Sequence, residues 1–486
     1  MKTLASLFKQ IPYQQRWGQE HVNIKDICLD SRKATPGSLF VAIPGTECDG
    51  ASYIDDAIAA GSTAIVSEQI PEARNPNITY IQVPDAAHTL GLLASQFYDH
   101  PSQQIQVVAV TGTSGKTSTV HILYKLFRQL GYKVGMLSTI HNQVNDLILP
   151  STLTTPDALH IQQLLHQMVA ANCQYCFMEA SSHALCQDRL AGLQLAGAIF
   201  LNISHDHLDY HHTFDAYIKA KKQLFDKLPK TAFTLYNIDD KCGKVMIQNT
   251  ASKTYSYSIH SPADFKAKII SNTWQGLELQ IEQQQVWCQL LGNINAYNLL
   301  AAYSTAALLH QPLLDTLVAL STISPIKGRM QQLPNNEKRN ILIDYAHKPE
   351  ALKKVLLTLN QLRMQMHTRG RIITVIGCGG NRDTAKRPIM AQIAYQHSDQ
   401  VILTSDNPRY EDPQFIIEEM KHGLTPAEQA QVWTIIDRKE AIKIACQMAQ
   451  PNDIVLIAGK GHEGYQEIHG VKYPLQDEAI VYELLT

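Results

Sequence analysis

Between Ile105 and about residue 228, short apolar runs ("IQVVAV", "KVGML", "CQYCFME", "AGAIFLN") alternate with stretches whose apolar positions recur every three or four residues. Runs so short and so uniformly apolar predict strands buried on both faces. The periodic stretches between them predict crossover helices, so the segment reads as a parallel sheet. The same alternation returns beyond residue 330 in "NILIDYAH", "RIITVIGCGG", "QVILTSDNPR" and "NDIVLIAGKGHE", separated by helical patterns such as "PEALKKVLLTLNQL". Polar clusters close these runs at Asp344–His347, Gly377–Asp383, Asp406–Arg409 and Gly459–Glu463. In open parallel sheets ligands bind outside the carboxyl ends of the strands. Between the two blocks, residues 250–291 alternate with a period nearer two ("GLELQIEQQQVWCQLLG"), which predicts antiparallel strands. Near the start, "SLFVAIPG" and "TAIVSE" predict strands flanking the helix "YIDDAIAAG". Polar joints at "YDHPSQQ" and "SPIKGRMQQLPNNEKRN" then divide an α/β chain into three domains, 1–100, 101–330 and 331–486.

One strand-to-helix turn carries recognisable chemistry. "IQVVAV" runs into the tight turn Thr111–Gly115, and Lys116 opens a helix whose Val120, Leu123, Phe127 and Leu130 fall largely on one face before Gly131. The phosphate-loop pattern G-x-x-x-x-G-K-[ST] wants glycine where Val110 stands, while Gly115, Lys116 and Thr117 fit it. Gly112 and Gly115 still let backbone approach a phosphate. Amide N–H groups and the helix dipole face the anion, Lys116 adds a point charge, and Thr117 can ligate Mg²⁺. A plain strand–helix turn would not need the Lys–Thr pair. The central domain is therefore expected to be a P-loop ATPase-like parallel sheet.

Composition narrows the classes. A formal net charge of −2 over 486 residues, with no long basic run, argues against nucleic-acid and membrane-surface partners. No run approaches the length of a membrane span, and the first residues lack a signal-peptide core. Nine scattered cysteines do not form a disulfide framework and point to the cytoplasm. Cys173 and Cys176 make a C-x-x-C without a second pair, so buried thiols are expected rather than zinc. Gly377, Gly379 and Gly380 lack both the G-x-G-x-x-G spacing and a following ribose acid, which disfavours a nicotinamide dehydrogenase.

"TGTSGKTS", "TTPD", "MEASSHAL", "HDHLDYHHTFDAYIKAK", "GNINAYN", "GRM", "DYAHKPEAL", "GCGGNRD", "DNPR" and "GKGHE" follow one another in an order that resembles the Mur ligases of peptidoglycan synthesis. Among these it is similar to the MurE type. The resemblance spans nearly the whole chain, including "LDSRKATPGSLFVAIPG". It implies an amino-terminal UDP-binding domain, a central ATPase domain and a carboxyl-terminal Rossmann-like domain that receives an amino acid. The implied reaction is amide synthesis through an acyl phosphate. The D-Glu carboxylate of UDP-MurNAc-L-Ala-D-Glu attacks the γ-phosphate of ATP, and the amine of meso-diaminopimelate then displaces phosphate. Like charges meet in that step, so Mg²⁺ and Lys116 are needed to neutralise them. The resemblance further implies a cytoplasmic monomer acting in cell-wall biogenesis, cell shape and division.

Residue by residue, the resemblance places ATP on Gly112, Thr113, Ser114, Gly115, Lys116, Thr117 and Ser118, with Asn295 near adenine, Arg329 near phosphate and Asp344 near ribose. Glu179, His207 and Lys221 join Thr117 as Mg²⁺ ligands, the lysine as a carbamate. Lys221 is selected by its position fourteen residues after His207. Other readings stand beside these. Glu179 could be a helix-start carboxylate, and "HDHLDYHH" could hold zinc. Lys221 could belong to a solvated face with Lys219 and Lys222. Asn295 or Asn298 could cap a helix, and Arg329 and Asp344 could each make a structural salt bridge. For the UDP substrate the implied residues are Leu29, Ser31, Thr46, Glu47, Cys48, Thr154, Thr155, Ser181, Gln187 and Arg189. Leu153 stands where many relatives have Asn, and the Ser and Thr residues could equally be caps.

Arg382, Asp406, Asn407, Pro408, Arg409, Gly459 and Glu463 make up the implied diaminopimelate site. Pro408 stiffens the loop, and a buried Arg409 can grip the distal carboxylate with two parallel hydrogen bonds. Such a site rejects lysine, which would leave the guanidinium unpaired, while Glu463 suits an ammonium. Three alternatives remain: a ligase adding lysine or another amino acid, a folylpolyglutamate synthetase-like enzyme, and a nucleotide-gated regulator that binds a wall precursor without turnover. The second leaves the amino-terminal motif and "DNPR" unexplained.

Overall fold

The computed structural model describes residues 2–45, 48–333, 339–365 and 370–485. The chain forms two compact units, one of Met1–Asn202 with Asp215–Ser256, the other of Ile203–Phe214 with Tyr257–Thr486.

Beside the short antiparallel pair Lys2–Thr3 and Asn23–Ile24, two larger sheets run through the described residues of the first unit. In the amino-terminal one, Gln15–Trp17, Thr79–Gln82, Ala64–Ser67, Ser38–Ala42 and Asp26–Cys28 lie side by side in that order. All neighbours are parallel except Gln15–Trp17 against Thr79–Gln82. Successive residues of a strand point to opposite faces. Accordingly Leu39 and Val41 pack with Leu90 and Leu93 of the helix Ala86–Phe97, while Phe40 and Ala42 pack with Ile54 and Ala57 on the other side. With both faces covered, the strand "SLFVA" can be apolar throughout.

The second sheet starts at the edge strand Leu147–Pro150 and runs through His141–Val144, Val134–Leu137, Tyr175–Glu179, Gln106–Thr111, Gly197–Phe200 and Phe233–Asn237 to Lys253–Ser258. Val134–Leu137, Tyr175–Glu179, Gln106–Thr111 and Gly197–Phe200 pair in parallel, as do Gly197–Phe200 and Phe233–Asn237. His141–Pro150 adds an antiparallel hairpin to one edge. The strand that feeds the phosphate loop is thus central, and Tyr175–Glu179 beside it brings Glu179 to the same end.

In the second unit, Phe265–Thr273, Gly276–Ile281 and Gln284–Cys288 form the antiparallel meander that the alternation predicts. The carboxyl-terminal sheet runs Gln331–Leu333, Asn340–Asp344, Ile454–Ala458, Ile372–Ile376, Gln400–Leu403 and Trp433–Thr434. All its pairings are parallel except the first. Leu342, Ile372 and Leu456 pack against the helices Pro349–Gln365 and Lys386–His397, and Ile341, Ile373 and Val455 against Arg438–Met448. The first parallel strand, Asn340–Asp344, lies next to the last, Ile454–Ala458, which is inserted between it and Ile372–Ile376. The carboxyl ends there, Asp344, Gly377, Asp406 and Gly459, mark the crevice such sheets use for ligands. Among the described residues no helix is long and apolar enough to cross a membrane.

Candidate active site

In the first unit the loop Gly112–Gly115 turns at Gly115, whose φ of 90° lies in the left-handed region that glycine adopts without strain. Asn202, at the end of the neighbouring strand's run, braces the loop. Its carbonyl accepts from the Thr113 amide at 2.9 Å, and its side chain accepts from the Ser114 amide and donates to the Ser114 carbonyl, both at 3.0 Å. Lys116 folds back so that Nζ donates to the Gly112 and Thr113 carbonyls at 2.8 and 3.2 Å. The helix Lys116–Gln129 starts there, and the leading amides of any helix have no partner within it. Braced loop, lysine and helix start make an anion cradle.

Thr117 Oγ1 donates to Glu179 Oε2 at 3.0 Å. Glu179 Oε1 accepts from the Thr139 amide at 2.7 Å and the Thr139 hydroxyl at 3.0 Å. The carboxylate is buried at the loop and does not start a helix; Ser181 caps Ser182–Cys186 instead. Lys221 is also buried, 1% exposed, with Nζ donating to the Gly112 carbonyl at 3.0 Å and lying over the Tyr217 ring. The solvated face belongs to Lys219, which pairs with Asp215, while Lys222 is mostly covered and pairs with Asp226. Thr117, Glu179 and Lys221 thus surround one loop. Two hard-oxygen side chains in contact suit Mg²⁺. An ammonium beside them does not, whereas a carbamate on the same nitrogen would.

Thr155 Oγ1 donates to the Glu179 carbonyl at 2.8 Å and accepts from the Ser181 amide at 3.1 Å. Arg189 Nη1 donates to the Thr155 carbonyl at 2.7 Å, and its Nε to Gln187 Oε1 at 2.9 Å. Thr154 Oγ1 lies 3.2 Å from the Thr139 hydroxyl oxygen. Five of the residues expected to meet the UDP substrate therefore adjoin Glu179. Leu29, Cys48 and Leu153 are exposed, and Ser31 is buried in a short helix that Asp30 caps. Thr46 and Glu47 lie outside the described residues. Cys173 and Cys176 are buried free thiols, and burial pushes both up in pKa.

The second unit carries the other candidates. Asn295 Nδ2 donates to the Leu291 carbonyl at 2.8 Å and Asn298 Nδ2 to Asn295 Oδ1 at 3.0 Å, so the two make a buried pair. Gly292 occupies the cap position of their helix. Asp344 accepts from the Met330 and Ala346 amides at 2.7 and 2.8 Å. Burial raises its pKa, opposed by Arg329 and those two amides. The Arg329 guanidinium lies 4.3 Å over the Tyr345 ring. Burial drives His347 down to about 3, helped by Lys348 and Lys386, so its imidazole is neutral. His207 has a left-handed φ of 52°; Lys348 Nζ lies 3.2 Å from its Nε2 and donates to both oxygens of Asp206 at 2.8 and 2.7 Å. His205 stacks on Phe214. Among the described residues no group of three His, Cys, Asp or Glu side chains is placed to hold a metal.

At the carboxyl-terminal sheet, Asn407 Nδ2 donates to Glu463 Oε2 at 2.9 Å, and Asp406 Oδ1 accepts from the Asn407 amide at 2.7 Å. A side chain on Gly459, whose φ is 108°, would meet Asp406 Oδ2 at 2.9 Å. Arg409 is half-buried rather than enclosed; its Nη1 donates to the Gly380 carbonyl at 2.8 Å, and its Nε lies 3.3 Å from Glu467 Oε2. Arg382 is exposed. Sequence reasoning missed Lys460, Gln466 and Glu467, which complete this cluster from the "GKGHE" turn and the hairpin after it.

A P-loop between parallel strands, an antiparallel meander and a Rossmann-like sheet with polar side chains gathered at its carboxyl ends are the architecture of an ATP-dependent ligase of the Mur type. Models of the Mur ligase family catalytic domain, the Mur ligase middle domain and the Mur ligase glutamate ligase domain match residues 23–98, 110–306 and 328–461, and the chain belongs to this family. It is 54% identical over 469 residues to the UDP-N-acetylmuramoyl-L-alanyl-D-glutamate–2,6-diaminopimelate ligase of Cytophaga hutchinsonii, covering 96% of each chain. It is 46% identical to the protein of that name from Phocaeicola vulgatus, covering 99% of each. A solved structure of a ligase with the same name superposes with a TM-score of 0.70 at 33% identity, covering 100% of this chain and 99% of that one.

Proposed function

We propose that this chain joins meso-diaminopimelate to the D-Glu carboxylate of UDP-MurNAc-L-Ala-D-Glu, converting ATP to ADP and phosphate. The observation that carries the reading is the 54% identity, over 96% of both chains, to a ligase of that substrate pair. The three family segments support a division of labour close to 1–100, 101–330 and 331–486. Nine free cysteines fit action in the reducing cytoplasm.

On this reading the loop amides and Lys116 hold the phosphates of ATP, and Asn202 keeps the loop in shape. Thr117, Glu179 and a carbamylated Lys221 supply oxygens for Mg²⁺, which when bound offsets phosphate charge. Arg189 is a cation for the anionic sugar-peptide, held by Gln187 and the Thr155 carbonyl. The γ-phosphate passes to the carboxylate of D-Glu. The amine of diaminopimelate attacks the acyl carbon, the C–O bond to phosphate breaks, and the amine proton leaves to solvent. Arg409 receives the distal carboxylate and Glu463 an ammonium.

The test is phosphate release by the purified protein with Mg-ATP and UDP-MurNAc-L-Ala-D-Glu, adding meso-diaminopimelate or L-lysine in parallel. Release with diaminopimelate alone, with tripeptide product seen by mass, is expected. Release with lysine would keep the chemistry and discard the assignment of Arg409. Silence with both, from folded protein that binds ATP, would favour a nucleotide-gated binder.

A further inference from the structure

We propose that Lys460 is a positioning residue for amino-acid recognition, acting through Asn407 and Glu463; the inference rests on the diaminopimelate reading of this site. The Lys460 side chain is 0% exposed. Its Nζ donates to Asn407 Oδ1 and to Glu463 Oε2, each at 2.9 Å. Gly459 and Gly461, with φ of 108° and 53°, flank it and let the chain turn the lysine inward.

The pattern of donors fixes both partners. Asn407 Oδ1 also accepts from the Glu467 amide at 3.0 Å, which fills its two lone pairs. The amide cannot flip without placing its NH₂ against two donors, so Nδ2 is held on Glu463 Oε2 at 2.9 Å. Glu463 Oε2 then has two donors, whereas no described residue donates to Oε1. One carboxylate oxygen is thereby left at the carboxyl end of the sheet to accept from an ammonium, and the buried cation decides which oxygen that is. Without Lys460, the Asn407 oxygen keeps only the Glu467 amide to orient it, and Glu463 loses the charge that holds it.

Lys460→Met and Lys460→Gln are assayed beside Glu463→Gln, so that one misfolded variant leaves the comparison standing. The substrates are meso-diaminopimelate and 2-aminopimelate, which keeps the reacting amine and the distal carboxylate but lacks the second ammonium. Each Lys460 variant is expected to lower kcat/KM for diaminopimelate by about 10- to 100-fold, chiefly through KM, as loss of a charge-assisted contact does. Use of 2-aminopimelate and KM for ATP should stay within about twofold, which general structural damage would not spare. Equal losses for both amino acids, or no loss for either, would overturn the role of Lys460. If Glu463→Gln leaves the preference for diaminopimelate intact, the reading of the site itself is wrong. If Glu463→Gln abolishes the preference while both Lys460 variants keep it, only the positioning role fails.

Discussion

Replacing Arg409 by lysine keeps the charge and changes the number and direction of donors. A guanidinium carries five N–H bonds. In Arg409, Nε faces Glu467 and one Nη1 hydrogen goes to the Gly380 carbonyl, leaving three for a ligand, enough for the two-pronged grip on a carboxylate. A lysine has three N–H bonds, and the same two acceptors would claim two. The substitution therefore removes one charge-assisted bond to the substrate, about 1.5–3 kcal/mol. Because the side chain is partly open to solvent, the lower figure applies, about tenfold in kcat/KM for diaminopimelate. The left-handed backbone at this position, φ 54°, treats lysine and arginine alike, so folding is not the variable. Initial rates with each amino acid, at saturating ATP and UDP substrate, give the ratio directly. KM for ATP should not move, and discrimination against L-lysine should weaken by a similar factor. A change under threefold for diaminopimelate, or parallel losses for ATP and diaminopimelate, would refute the assignment of Arg409.

Glu179→Gln exchanges a carboxylate oxygen that receives Thr117 for an NH₂, and the Mg²⁺ concentration for half-maximal rate should rise about tenfold or more; an unchanged Mg²⁺ titration would count against this metal site. Lys221→Ala should cost on the order of 100-fold in kcat, and full activity at ordinary Mg²⁺ would remove the lysine from the mechanism. His347 is held neutral, down to about 3, so below the ordinary histidine value near 6.5 the unfolded chain takes up a proton that the folded chain refuses. Stability must then fall as pH drops from about 6.5 toward 3, at no more than about 1.4 kcal/mol per pH unit and by less because the ring is partly exposed. A His347→Gln thermal midpoint that follows wild type across this range would contradict that linkage.

Where a residue's position follows from a strand end, the sequence was readable. The runs "IQVVAV" and "NILID" announce strands covered on both faces, and their polar ends carry Gly112–Lys116 and Asp344. Period-two alternation likewise gave the meander at Phe265–Cys288. What stayed hidden depends on pairing across the chain. Asn202 is only the last letter of "AGAIFLN" until the parallel register of Gly197–Phe200 with the strand Gln106–Thr111 brings it under the phosphate loop. Lys219, Lys221 and Lys222 are equivalent in charge pattern, and only the helix's packing against the loop buries one of them. Glu467 sits in a polar stretch with no motif, and its meeting with Arg409 rests on a single bridge between Arg409 and Ile468.

That bridge bears on how the specificity of such a ligase can change. Tyr465–Ile468 and Val471–Pro474 pair with each other in a two-stranded sheet separate from the six strands of the carboxyl-terminal domain. From this hairpin Gln466 reaches the Asp406 carbonyl, while Glu467 supplies its amide to Asn407 and its carboxylate to Arg409. Substitutions there alter the surroundings of the proposed amino-acid site while leaving the residues of the large sheet and its helices unchanged. Recognition and scaffold can therefore drift at different rates, and a lineage could retune its choice of amino acid through a segment of some ten residues without refounding the domain that holds it.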